Sequence, residues 1–113
     1  MSGDVVKCTE ALVHAMLNSE EYQNYQRYEG ELRSKPKLRE QVDEFRIRNY
    51  HLQKQEGIDL YDEVDNLERE FEHIRKNALA NAYLEAELAV CKMMQDTQTA
   101  LVKSLNISIP DEV

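Results

Sequence analysis

The stretch from Asn77 to Leu105 constrains the fold more than any other part of the chain. It contains no Gly and no Pro, and its first half is built almost wholly from strong helix formers. Leu79, Tyr83, Ala86, Val90, Met93, Thr97 and Ala100 recur at alternating spacings of four and three. That is the seam of a helix packed along another helix. A second apolar row, Leu84, Leu88, Cys91, Met94, Leu101 and Leu105, lies roughly one hundred degrees round the axis. Asn81, Glu85, Lys92, Asp96, Thr99 and Lys103 fill the remaining side. At about 1.5 Å per residue the helix is roughly 40 Å long, whereas a compact chain of this size has a radius of gyration near ~13 Å. The helix therefore overhangs a compact monomer, and a second copy of the chain is expected to cover the excess.

The rest of the chain reads as shorter helices. Asp4 can cap a first helix to about Leu17, with Val5, Cys8, Leu12, Ala15 and Met16 as its apolar stripe. Ser19, followed by Glu20 and Glu21, has the form of a new N-cap with acids at the positive end of the dipole. The second helix carries Tyr22, Tyr25, Tyr28 and Leu32, and Pro36 ends it and starts the third. On the third helix Leu38, Val42, Phe45 and Leu52 share a face, with Ile47 and Tyr50 to one side. Gly57 is a natural stop, and the short connection through Ile58 and Asp59 should return the chain antiparallel. The fourth helix, about Leu60 to Lys76, has a narrow stripe of Val64, Leu67, Phe71 and Ile74. Asn77 can cap the long fifth helix. The tail from about residue 106 to 113 is expected to fray. The expected architecture is all-α: one domain over 1–113, an elongated antiparallel bundle of about five helices with a long C-terminal helix and no sheet.

Composition sets limits on function. The formal net charge of -8 opposes non-specific attraction to nucleic acid or anionic lipid. The start MSGDVV lacks a basic region followed by an apolar run, and no run approaches membrane-spanning length. A cytoplasmic protein is expected, with no membrane, nucleic-acid or small-molecule partner. Cys8 and Cys91 belong to no CxxC pair and read as small buried apolar residues rather than a disulfide. No phosphate loop, zinc spacing or activated-nucleophile motif occurs, so no catalytic residue, cofactor or metal is expected. The alternative is a metal-binding bundle enzyme or sensor using the Glu-x-x-His pair Glu70 and His73, of which di-iron bundles need two copies. Arg33, Lys35, Lys37 and Arg39 form the only basic concentration, read as a solvated turn.

The order of these features resembles the YlbF/YmcA family of small bacterial regulators, and its shorter YheA-like branch in particular. The likeness rests on Asn18-Ser19-Glu20-Glu21-Tyr22-Gln23-Asn24-Tyr25, on Leu38 to Leu52 around Phe45, on Gly57 with the helix after it, and on Asn77 to Glu87. The resemblance implies an all-helical, non-enzymatic cytoplasmic regulator acting on other proteins. Members influence competence, sporulation and biofilm development, and some act with RNase Y in messenger RNA processing. Some carry C-terminal cysteines associated with an iron–sulfur cluster; Ile109 to Val113 holds none, and no cluster is expected. Tyr83, Leu84, Leu88, Cys91 and Met94 are the residues expected to form a self-association or partner interface, in a homodimer or higher oligomer.

Overall fold

A computed structural model describes residues 1–55 and 60–106. Within them every regular element is a helix: α1 Gly3–Leu17, α2 Glu20–Arg33, α3 Pro36–Lys54, α4 Leu60–Glu70, α5 Glu72–Lys76 and α6 Ala78–Leu105. The expected stop at Gly57, the connection through Ile58 and Asp59, and the tail beyond Asn106 lie outside the described residues.

Local chemistry places the helix starts. Ser19 is the N-cap of α2, its hydroxyl accepting from the backbone N–H of Tyr22 at 3.2 Å while donating to the Met16 carbonyl at 2.6 Å. Asn77 caps α6, its side-chain oxygen accepting from the N–H of Ala80 at 3.0 Å. Pro36 opens α3 in the first turn, where its missing N–H removes no hydrogen bond. The cap of α1 is Ser2 rather than Asp4: the Val5 N–H reaches the Ser2 hydroxyl at 3.4 Å, and Asp4 sits inside the first turn. An acid there still meets the positive end of the helix dipole.

The expected fourth helix is two pieces. At Phe71 the backbone leaves the α-helical wells (φ -107°, ψ 21°), and the Ile74 N–H returns to the Phe71 carbonyl at 2.9 Å. This tightened turn accompanies two inward side chains. Phe71 meets Phe45 of α3 with ring centroids 5.4 Å apart, and Ile74 is fully buried. Val64, one turn before Leu67 on the expected stripe, stays substantially exposed. Phe45 lies opposite Phe71, and Arg48 three residues on pairs with Glu70, so α3 and α4 run in opposite directions.

The core collects Leu32 from α2, Val42, Phe45 and Leu52 from α3, Leu67 from α4, Phe71 at the break, Ile74 from α5, and Ala80, Tyr83 and Leu84 from the first turns of α6. Tyr25, Tyr28, Leu38 and Leu79 pack against its edge. The principal helix pair is α2 against α6. Fourteen residues of α2 face twenty-eight of α6, about 21 Å of cover for about 42 Å of rod. The last buried residue of α6 is accordingly Ala86. No residue of α1 is buried, and Cys8, expected inside, is exposed because no neighbouring helix covers its stripe. The radius of gyration is 18.1 Å and the extents are 48 × 42 × 17 Å. A compact chain of this length would give about 13 Å, so the molecule is a plate with long edges.

Candidate interaction surface

The five residues expected at an interface fall in two environments. Tyr83 and Leu84 belong to the chain's own core, at 0% and 7% exposure. Leu88 and Met94 stand at 68% and 57%, and Cys91 is half-buried between them. One apolar row thus begins inside the bundle and runs out onto its surface. Leu101, Val102 and Leu105 extend the exposed apolar surface to the end of α6.

Where the row emerges, it forms one wall of an open cleft between α3 and α6. The cleft has a volume of about 720 Å³, and Ile47, Tyr50, Leu84 and Leu88 supply its apolar lining. Ile47 and Tyr50 are more than half exposed. Both lie off the buried Val42–Phe45–Leu52 face, and that offset was the signal available in the sequence. One end of the cleft is fixed by Arg46. Its guanidinium donates to the Tyr83 hydroxyl at 3.0 Å and to Glu87 at 3.4 Å, with Asp43 at 3.7 Å. Arg39 and Arg46 both lie over the Tyr83 ring, at 5.3 and 5.6 Å from its centroid. Burial pushes the Tyr83 phenol up to about 12, opposed by Arg46 and aided by a hydrogen bond with the side chain of Tyr25. The Cys91 thiol is also pushed up, first by burial and then by the neighbouring Glu87 carboxylate. A raised thiol is a poor nucleophile, which suits a packing role.

The other candidates lead to no reactive arrangement. Glu70 is held by Arg48, and that hydrogen bond draws its carboxyl below the usual range. The His73 ring stacks beside Phe71 at 6.3 Å. Among the described residues no group of three or more potential ligands converges on a metal-sized space. In the basic turn, Arg33 pairs with Glu29, and Arg39 pairs with Asp43 at 3.1 Å and Glu29 at 3.5 Å. Two of its four cations are therefore neutralised within the chain. Tyr22, Tyr25 and Tyr28 are half-buried along α2, with Tyr25 against Tyr83 at 5.7 Å, while Tyr50 lies open in the cleft. No helix of the described residues is long and apolar enough to cross a membrane.

What the geometry offers is apolar surface: a cleft able to receive side chains, and two helical stretches with no fully buried residue, α1 and the part of α6 from Leu88 on. Neither a curated protein nor a solved structure matches the chain. A family model does, over residues 5–106, and its description is control of the competence regulator ComK, YlbF/YmcA. The match runs from the first turn of α1 through the whole of α6. This chain belongs to the YlbF/YmcA family of competence regulators.

Proposed function

We propose that the chain is a non-enzymatic cytoplasmic regulator that works by binding other polypeptides, a second copy of itself among them. The observation that carries this reading is the emergence of the α6 row. Leu88, Met94, Leu101 and Leu105 are each more than half exposed on a helix whose first turns form the core. Soluble proteins seldom leave so long an apolar strip uncovered, and such strips mark places where proteins meet. The cleft beside Leu88 adds a concave apolar surface on which a partner segment can seat. Membership of a family described as controlling ComK gives the direction of the output. A regulator of this kind changes its target by occupying it, so complementary surface is its whole chemistry. The YheA-like likeness of the sequence fits a member without an iron–sulfur cluster.

The test is complementation. In a host lacking its own copy, the wild-type chain is expected to restore ComK control, read as ComK protein level. The double variant Leu88→Glu, Met94→Glu should fold, because both positions are exposed, and circular dichroism checks this. It should fail to restore control. A folded double variant that restores ComK control as well as wild type would overturn the reading. Leu84→Glu is unsuitable here, since Leu84 is 7% exposed and a charge there attacks the core itself.

A further inference from the structure

Two helical arms leave this molecule with little cover: on the first no residue is buried, and on the second Leu88, Met94, Leu101 and Leu105 are exposed while Val90, Cys91, Met93 and Thr97 stay half-buried. The first is α1, where Val5, Leu12 and Met16 form one row and Val6, Val13 and Leu17 an adjacent one. All but Met16 are 37–49% exposed. A lone helix of 15 residues is marginal in water, so its stability has to come from packing. The second arm is Leu88–Leu105 of α6. Glu20 and Glu21 in the first turn of α2 share a shallow depression with Ala86 and Ala89 of α6. Both arms therefore depart from the same end of the α2–α6 pair.

Charge says what can cover them. Lys7 against Asp4 and Glu10 leaves α1 at -1, and Lys92 and Lys103 against Asp96 leave the distal arm of α6 at +1. The arms cancel, so the whole formal charge of -8 is carried elsewhere in the chain. Two copies repel over most of their surface and can approach at the arms. The signs favour α1 against α6, whereas α1 on α1 or α6 on α6 sets like against like. Area agrees. Arms of about 22 and 27 Å, each presenting a strip about 10 Å wide, give two copies together roughly 1,000 Å² of contact, the floor of a specific interface.

We propose that two copies pair through crossed arms, α1 of each lying along Leu88–Leu105 of the other. A two-fold axis between the arms satisfies all four at once and leaves no unmatched arm to propagate a filament. This rests on the self-association part of the reading above and specifies its geometry. The two surfaces share Leu88; the rest of the α3–α6 cleft remains open to a different partner.

The test mixes equal amounts of unlabelled and ¹⁵N-labelled full-length protein, follows mass by light scattering, and applies an amine-reactive cross-linker. A dimer mass is expected, with Lys7–Lys92 or Lys7–Lys103 cross-links that join one light and one heavy peptide. The double variant Lys92→Glu, Lys103→Glu makes the distal arm acidic against an acidic α1, and should weaken the dimer by roughly tenfold. Adding Asp4→Lys and Glu10→Lys to it should restore the dimer, because the signs are then opposite again. All four positions are exposed, so the variants should keep the fold. A dimer whose Lys7 cross-links stay within one chain, with no rescue by the second pair of changes, overturns the crossed geometry and leaves self-association standing on another surface. A monomer at high concentration overturns both.

Discussion

Arg46 on α3 donates to the hydroxyl of Tyr83 on α6 at 3.0 Å, across a sequence separation of 37 residues. The same guanidinium lies over the Tyr83 ring and reaches Glu87 one turn further along α6. This contact fixes the angle at which α3 meets α6, and so the width of the cleft between them. Tyr83 is fully buried, yet its hydroxyl is satisfied, which is the condition for burying a polar tip without penalty.

Alkali should unlock this contact. The phenol is pushed up to about 12 from an ordinary value of 10, because burial disfavours the phenolate. The folded state therefore keeps a proton that the unfolded chain loses first, and stability falls as pH rises from 10 to 12. The full shift corresponds to about 2–3 kcal/mol. Urea midpoints measured from pH 9 to 12 should fall less steeply for Tyr83→Phe than for wild type. Equal slopes would show that Tyr83 is not the group responsible. At neutral pH the same substitution should cost about 1 kcal/mol, since Arg46 retains Asp43 and Glu87.

The start of α6 depends on one side chain. Asn77→Ala removes the acceptor for the Ala80 N–H and should lower stability by about 0.5–2 kcal/mol. Asn77→Asp and Asn77→Ser keep an acceptor and should recover most of that loss. Equilibrium denaturation of the three variants measures it, and an Asn77→Ala protein as stable as wild type would mean that the cap is idle.

Core and arm truncations should differ in their concentration dependence. Ile74→Ala empties a fully buried site and should cost about 2–5 kcal/mol at any protein concentration. Leu88→Ala trims a side chain that is 68% exposed in the single chain, so in dilute protein its effect should stay within about 0.5 kcal/mol. If a second copy covers it, the melting temperature of Leu88→Ala should drop below wild type only as concentration rises. A large loss in dilute protein would place Leu88 inside the monomer core instead.

Metal analysis separates the regulatory reading from the metal-binding alternative. Protein purified without tag or chelator should contain no stoichiometric iron, manganese or zinc, because Glu70 is engaged by Arg48 and His73 lies beside Phe71. Stoichiometric metal that disappears in His73→Ala would revive the alternative.

Much of this architecture was legible in the residues. Ser19 and Asn77 are caps because a short side-chain oxygen stood before each apolar run, and Pro36 opens α3 because only a first turn tolerates it. The α3 face Val42, Phe45 and Leu52 is buried as its spacing indicated. Two local details escaped. Ser2 rather than Asp4 caps α1, since both are competent residues two positions apart. The break at Phe71 involves no Gly or Pro and accompanies packing against Phe45 across the bundle.

Residue spacing alone established which side of each helix is apolar, and that α6 is too long and too broadly apolar for a compact chain of this size to cover. Where cover stops depends on how the helices pack against one another. Tyr83 and Leu84 are inside where α2, α3 and α5 meet the first turns of α6, whereas Leu88 opens onto the α3–α6 cleft and Met94 lies beyond it. The same holds for α1, whose rows look like any core-facing stripe and yet bury no residue. Periodicity records the direction an apolar face points along a helix axis. How far a neighbour runs beside that face is a property of where the chain turns.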